Sequence, residues 1–474
     1  MAKEIYDICI IGAGAGGLSI ASVSAQLGLN VCLIENHKMG GDCLNYGCIP
    51  SKSILAAAKA VKSLKKMSEL GIHIDGISID YQKVYQHVQQ VIKTIEPHDS
   101  VERFESLGVT VKMGNATFID KNTILLNKEH ISAKHFVIAT GSRAFIPDIS
   151  GLNDLEYLTN ETVFNLTEAP KHLITIGGGP IGCELSQAIR LLGAEVSILQ
   201  RRQLLPHDDS DLTCIVKDEL TKGGVSIYEH ATEIKSVSKT PNDEICVTFI
   251  QDDQTKSITG SHLLVATGRQ VNFNNLALEK ASVAYTSKGI QVNTKLKTTN
   301  KRIYAVGDVT GGFQFTHIAG YHAGIVIQNM LFKKPTKVNY KAIPWVTYTS
   351  PELAHVGISH EQASKEHPKG KTITVDFSEL DRAQTEKQTT GKLKATFDHK
   401  GNPVSVSIVG KNAGELIYPW IIAIDNHLSI GKLSKFIAPY PTWGELTKKV
   451  ISKYYEPILY ANRTKKLVRF LSHF

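Results

Sequence analysis

Hydrophobic and polar positions along the chain alternate between short apolar runs and longer stretches with helical periodicity, which predicts strands and helices in alternation. The first run, Asp7-Ile8-Cys9-Ile10-Ile11, is continuous enough for a strand buried on both faces. Gly12-Ala13-Gly14-Ala15-Gly16-Gly17 and a small-residue helix ending near Gly28 follow, and a second strand, Asn30 to Ile34, runs into Glu35. Ser53 to Leu70 and Tyr81 to Ser106 read as helical, the latter with a break at Pro97. Short strands are predicted at Val109 to Met113, Thr117 to Ile119 and Thr123 to Leu126, and the run from Phe136 ends in Ala139-Thr140-Gly141-Ser142. The pattern then repeats: a strand from Lys171 to Ile176, glycines 177 to 179 and 182, a helix from Cys183 to Leu192 and a strand from Ala194 to Leu199. Strands continue through Val225 to Ser236, Ile245 to Ile250 and His262 to Val265, closing on Ala266-Thr267-Gly268-Arg269.

A strand from Arg302 to Val306 leads to Gly307-Asp308 and a helix from Thr316 to Leu331, and the linker Lys333-Lys334-Pro335-Thr336 ends that region. From Trp345 the pattern changes to short strands, including Ile373 to Phe377, Gly391 to Phe397 and Val404 to Gly410, with a helix from Gly414 to Asn426. The fold class expected is α/β: two Rossmann-like dinucleotide-binding domains and a C-terminal α+β domain. Residues 1–147 with 270–335 form the first domain, 148–269 the second, and 336–474 a domain without a nucleotide fingerprint, expected to be a dimer interface.

A chain of 474 residues exceeds one hydrophobic core, and 42% hydrophobic with 21% charged residues is ordinary globular composition. The formal charge of +8 comes without a long basic block, which argues against nucleic acid as a partner. Seven cysteines in this length fit a reducing compartment, so a cytoplasmic protein is expected. Met1 to Tyr6 lack the order of a signal peptide, and the glycines within the apolar stretch Ile8 to Ala25 favour a nucleotide fold over a membrane span. Ala461 to Phe474 is basic and amphipathic; it is read as a helix docked at a domain edge in preference to contact with a membrane surface.

The chemistry concentrates in two places. Glycines at 12, 14 and 16 permit a tight turn, close approach of a pyrophosphate and close helix packing, and Glu35, 23 residues after Gly12, is placed to accept ribose hydroxyls. In the second unit the position 23 residues after Gly177 is Gln200, followed by Arg201 and Arg202. Loss of the acid and gain of two guanidinium groups favours a 2′-phosphate, hence NADPH over NADH. The second place is Met39-Gly40-Gly41-Asp42-Cys43-Leu44-Asn45-Tyr46-Gly47-Cys48-Ile49-Pro50-Ser51-Lys52, two cysteines five apart ahead of a helix. A thiol at a helix start is favoured as thiolate, Cys48 most, and two cysteines in register can close and reopen a disulfide with two electrons. The pair is also compatible with two buried small residues, or with half of a zinc site, although no second C-x2-4-C pair follows. Cys9, Cys32, Cys183, Cys214 and Cys246 sit singly in apolar runs and read as structural. The Glu96-Pro97-His98-Asp99-Ser100 cluster is expected to be a helix junction.

Gly12-x-Gly14-x-Gly16-Gly17, the Gly41 to Lys52 box, Gly177-x-Gly179-x-x-Gly182-x-Glu184, Tyr304-Ala305-Val306-Gly307-Asp308 and Pro441-Thr442-x-x-Glu445, in this order over nearly the whole length, resemble the class I pyridine nucleotide-disulfide oxidoreductases. That family includes dihydrolipoyl dehydrogenase, glutathione reductase and mercuric reductase. The resemblance implies FAD held by the first fingerprint, Glu35 and Asp308, with Cys48 as the charge-transfer thiol and Cys43 as the interchange thiol that meets substrate. It also implies Lys52 and Glu184 as a pair flanking the flavin, NADPH or NADH on the opposite face, and a homodimer. Candidate cofactor contacts are then Gly12, Gly14, Gly16, Glu35, Gly41, Lys52, Thr140, Gly141, Gly177, Gly179, Gly182, Gln200, Arg201, Arg202, Gly268, Gly307 and Asp308; no metal-ligand residues are expected.

One departure bears on chemistry. Relatives that reduce disulfides carry His-Pro-Thr-x-x-Glu, where the sequence has Tyr440-Pro441-Thr442-Trp443-Gly444-Glu445. A phenol, with a pKa of about 10, is a poor substitute for an imidazole near 6.5 as an acid-base group. Tyr440 and Glu445 therefore resemble the mercuric reductase branch, while Leu471-Ser472-His473-Phe474 stand where vicinal cysteines would deliver a soft metal in that branch. The function expected is an FAD-dependent NAD(P)H oxidoreductase passing electrons through Cys43 and Cys48 to a disulfide, a soft metal ion or another small acceptor. The alternative is a flavin transhydrogenase, quinone reductase or NAD(P)H oxidase in which the cysteines are not obligatory.

Overall fold

The structure, a computed structural model, describes residues 5–474, so the reading of Met1 to Glu4 lies outside it. The apolar run at the start forms the strand Ile5–Ile11, flanked in parallel by Val31–Glu35 and by Glu129–Ile138. The chain therefore leaves the central strand at a point where its neighbours were added on opposite sides. In an open parallel sheet that is where a crevice forms at the carboxyl ends of the strands. Val109–Met113 extends one edge, Thr123–Leu126 and Ala116–Asp120 the other, and Ile303–Ala305 pairs in parallel with Glu129–Ile138, giving seven strands. The return of residues 303–305 to this sheet brings Gly307 and Asp308 beside the first glycine turn.

The second unit repeats the plan on a smaller scale. Val225–Tyr228, Glu195–Leu199, His172–Ile176 and His262–Val265 form a parallel sheet in that order, backed by an antiparallel sheet of Ala231–Lys239, Ile245–Gln251 and Gln254–Gly260. The third region is a five-stranded antiparallel sheet, Pro344–Thr347, Glu352–Gly357, Pro403–Gly410, Lys392–Phe397 and Lys371–Asp376 in spatial order. It is covered by helices around the fully buried Trp420 and Phe397.

Several expected elements are divided. Tyr81 to Ser106 is a helix to Ile95, a tight turn through Pro97, and a second helix Val101–Ser106 capped by the Ser100 hydroxyl, which accepts from Arg103 N at 3.2 Å. The His98-Asp99 cluster is thus a junction. Val225 to Ser236 is two strands, broken at His230, whose positive φ of 58° turns the chain from one sheet to the other. Gly414 to Asn426 divides at Ile417, before Pro419.

The helix Cys48–Lys66 sits where the three regions meet. Pro50, Ile54, Ala58 and Val61 make its buried stripe, at the three- and four-residue spacing that puts them on one face. That stripe shares a core with Leu185, Ala188 and Leu192 of the second nucleotide unit. On its other flank Lys59 pairs with Glu352 at 2.9 Å and Lys62 donates to Ser350 O at 2.6 Å, both in the third region.

Candidate active site

The local fold of the cysteine box follows from its glycines. Gly40 and Gly41 both have positive φ, and a Cβ on Gly41 would lie 2.8 Å from Gly14 Cα. Only glycine lets the box press against the phosphate-type turn. A five-residue helix, Gly41–Asn45, carries Cys43, and the long helix begins at Cys48 itself, earlier than the predicted start at Ser53. Cys48 thereby occupies the first helical position, where backbone N–H groups are unpaired and the dipole is positive.

Cys48 is exposed to the cleft and Cys43 is half-buried, both as free thiols. The Cys48 thiol is brought down to about 6, chiefly by the hydrogen bond from Cys43, then by Thr316 and the charge of Lys52, against burial and the Asp42 carboxylate. Cys43 moves the other way, held up by its hydrogen bond to Cys48 and by burial. Of the pair, Cys48 is the thiolate. Its sulfur lies 3.4 Å from Thr316 Oγ1, at the start of the helix Thr316–Met330.

Lys52, one turn beyond Cys48, reaches Glu184 Oε2 at 2.8 Å and lies 4.4 Å above the Tyr348 ring. Glu184 is almost fully buried, and its other oxygen accepts from Tyr348 N at 2.9 Å. A buried carboxylate with both oxygens engaged is a rigid partner for the lysine, and it ties all three regions together at the cysteines.

A single cleft of about 2350 Å³ joins these groups to both glycine turns. Its walls include Gly12, Gly14, Gly16, Glu35, Gly41, Cys43, Cys48, Lys52, Thr140, Gly141, Gly177, Gly179, Glu184, Gln200, Arg201, Arg202, Gly268, Gly307 and Asp308. The first half fits an adenine dinucleotide on its own geometry. Gly12 has φ 107° and a Cβ there would meet Ala139 O at 2.4 Å, whereas the Cβ position of Gly14 faces open space. Glu35 holds the turn, accepting from Ala13 N at 2.8 Å and from Asn36 N and His37 N, with lone pairs left over for ribose hydroxyls.

The second half copies this with one change. Gly177 has φ 114°, and Gln200 Oε1 accepts from Gly178 N at 2.8 Å, so an uncharged side chain does the turn-holding that Glu35 does. Arg201 and Arg202 are exposed beside it with no ion-pair partner among the described residues. Gly182 does not line the cleft; a Cβ there would lie 1.9 Å from Gly177 O, so it serves helix packing under the turn.

Asp308 stands in a network. Ser142 Oγ donates to it at 2.5 Å, Arg269 Nε lies 3.8 Å away, and Arg269 Nη2 meets Asp42 Oδ2 at 3.1 Å. Burial holds the Asp308 carboxyl above its usual range, opposed by Ser142 and Arg269. The Gly307 turn is propped by His322, whose Nδ1 accepts from Gly307 N at 3.1 Å; burial brings this imidazole down to about 4, so it is neutral and free to accept.

Tyr440 and Glu445 are not brought to the cleft within one chain. The Tyr440 hydroxyl donates to Asp381 Oδ2 at 2.8 Å in an exposed position, and that bond raises its pKa further. Glu445 opens the helix Glu445–Leu459 and accepts from Thr442 N. The sequence reading missed Thr316, Tyr348, Ser142 and Arg269. For Arg269 there was a signal, its place after the second Ala-Thr-Gly; Tyr348 carried none. Of the five other cysteines, which read as structural, Cys9, Cys32 and Cys183 are buried and Cys246 is partly buried, while Cys214 is exposed on the helix Ser210–Lys222. Among the described residues no group of three or more His, Cys, Asp or Glu is placed to hold a metal ion, and no helix is long and apolar enough to cross a membrane.

Comparison with known proteins agrees with this geometry. Residues 6–323 match the family profile of the pyridine nucleotide-disulphide oxidoreductases, and residues 343–451 match that of their dimerisation domain. The chain is 33% identical over 449 residues to a mercuric reductase of Bacillus cereus, covering 94% of this chain and 71% of that protein. It is 32% identical over 450 residues to a dihydrolipoyl dehydrogenase of Bacillus subtilis, covering 92% and 96%. Among solved structures it is similar to the Cu(II) complex of the HOCl-induced flavoprotein disulfide reductase RclA of Escherichia coli, with TM-score 0.85, 26% identity and coverage of 95% of this chain and 99% of that one. With two glycine turns opening on one cysteine pair, and with family matches on either side of residue 330, the chain belongs to the FAD-dependent pyridine nucleotide-disulphide oxidoreductases.

Proposed function

We propose that the enzyme takes electrons from NADPH through FAD into the Cys43–Cys48 pair and delivers them to a soft metal ion. FAD, held by the first glycine turn, Glu35 and Asp308, supplies two-electron transfer between a reduced nicotinamide and the disulfide. Glu184 keeps Lys52 beside Cys48, and Lys52 with Thr316 stabilises the thiolate there. Arg201 and Arg202 support the preference for a 2′-phosphate. Residues 1–147 with 270–335, 148–269 and 336–474 serve as FAD, NAD(P)H and homodimer domains in this reading.

The observation that carries the choice of acceptor is Tyr440. A disulfide leaves as two thiols and needs protons delivered in step with electrons, a task for an imidazole near neutral pH. Tyr440 holds its proton against Asp381 instead. A metal ion needs no proton delivered to it: the reduced pair, thiolate at Cys48 and thiol at Cys43, gives up two electrons and releases the Cys43 proton to water, closes the Cys43–Cys48 disulfide, and reduces one Hg(II) to Hg(0) or two Cu(II) to two Cu(I). Thiolates are the ligands soft ions select. The likeness to mercuric reductases and to RclA, whose structure is known as a Cu(II) complex, supports the same class.

The test is coenzyme oxidation by the purified dimer with Hg(II), Cu(II), lipoamide, a quinone and oxygen, each with NADPH and NADH. The expected outcome is metal-dependent NADPH oxidation that falls at least about tenfold in Cys43→Ala and Cys48→Ala. Fast lipoamide turnover, or quinone turnover untouched by either substitution, contradicts it.

A further inference from the structure

The helix Asn462–Leu471 joins no core: none of its residues is buried, contrary to the expectation that it docks at a domain edge. Its tie to the rest of the chain includes Thr464 Oγ1, which donates to Ile458 O at 2.7 Å across the turn from the preceding helix. Stepping about 100° per residue, Leu467, Val468, Phe470 and Leu471 fall on one side, continued by Phe474. Lys465, Lys466, Arg469 and His473 fall on the other, with Arg463 in the first turn at the edge of the apolar side. The five apolar side chains are 56 to 95% exposed. Ile458, Leu459 and Tyr460, just before the helix, are exposed as well. No acidic residue occurs between 457 and 474.

A soluble surface helix turns its apolar side inward; this one presents it to solvent beside a row of cations. Ten residues are too few to span a bilayer. High amphipathicity, low overall hydrophobicity, lysine and arginine on one side and leucine and phenylalanine on the other are the properties of a helix lying in the lipid-water interface. We propose that residues 458–474 dock the enzyme onto an anionic phospholipid surface. Leu467, Val468, Phe470, Leu471 and Phe474 enter the acyl boundary while Lys465, Lys466 and Arg469 face lipid phosphates. The charge pattern selects this occupant. A second copy of the helix would cover the apolar side but leave the cationic row, which lies on the opposite side, without counter-charge, whereas an anionic headgroup layer meets both sides at once.

The test is co-sedimentation of the full-length, FAD-loaded protein with phosphatidylcholine vesicles lacking or containing phosphatidylglycerol, with the oligomeric state followed by light scattering. Wild-type protein is expected to sediment with phosphatidylglycerol-containing vesicles at low salt and to be released as salt screens the charges. The pair Leu467→Ser with Phe470→Ser, and separately Lys465→Glu with Lys466→Glu, should each lower the bound fraction at least about tenfold while leaving NADPH oxidation unchanged. Absence of sedimentation with anionic vesicles overturns the proposal, as does equal binding by wild type and both variants. If either variant changes the oligomeric state instead, the helix is an interface between copies and the proposal fails.

Discussion

The side chain of Lys52 reaches Glu184 at 2.8 Å while its charge acts on Cys48, one turn back along the same helix. The lysine is therefore held in place by one region and used by another. With its pKa depressed from the ordinary thiol value to about 6, Cys48 is a thiolate above that pH and is protonated below it. The thiolate signal of the reduced enzyme should accordingly fade as pH falls through about 6, and in Lys52→Met the midpoint should move upward by part of the depression, since Cys43 and Thr316 contribute more, lowering the thiolate present at pH 7. A pH titration of the reduced protein's thiolate absorbance checks both. Cys48 and Lys52 were legible in the sequence because helix position and neighbour lie within five residues. Thr316 was not: its contact with Cys48 spans 268 residues, and no local pattern reports such a meeting.

Among the elements, the two glycine turns are near copies with separable duties. Gly12 and Gly177 have φ of 107° and 114°, and a Cβ on either would lie 2.4 or 2.2 Å from a backbone oxygen of the neighbouring strand end. Alanine at either costs on the order of 2 kcal/mol or more locally, because backbone and not a flexible side chain stands in the way. Gly12→Ala should purify depleted of FAD. Gly177→Ala should keep FAD and raise the KM for NADPH at least about tenfold, as absorbance spectra and steady-state kinetics would show. Those turns were readable because strand, glycine spacing and helix occur in one short stretch. The limits of reading lay where tertiary pairing decides: Glu129–Ile138 was recognised only from Phe136, since its first half alternates polar residues and becomes strand by pairing on two sides. The edge strand Gln254–Gly260, polar but for Ile258 and the closing glycine, was missed for the same reason.

At the scale of the molecule, the third region contains a buried imidazole pair whose titration should govern acid stability. His355 Nδ1 and His360 Nε2 share Ser407 Oγ at 2.7 and 3.1 Å. Burial brings them down to about 4 and about 3, so both are neutral in the fold and protonate more readily when unfolded. Their contribution is complete above the unfolded pKa of about 6.5 and is lost as pH falls from there toward the folded values. On the order of 2 kcal/mol each is at stake, so Tm should drop between pH 6.5 and 4. His355→Gln with His360→Gln should flatten that slope, as calorimetry across the range would show. The three-part plan itself was legible from duplicated motifs and the change of period near residue 345. That the helix Cys48–Lys66 packs against both other regions was not, because its apolar stripe says only that something covers it.

Everything in this account turns on the sulfur of Cys48 lying in electronic contact with the flavin. Anaerobic reduction by NADPH, followed by absorbance at wavelengths beyond the flavin band, measures it. The account predicts a long-wavelength charge-transfer band that appears in the wild type on two-electron reduction, is present in Cys43→Ala before any NADPH is added, and is absent in Cys48→Ala. A band retained in Cys48→Ala, or missing in Cys43→Ala, would contradict it.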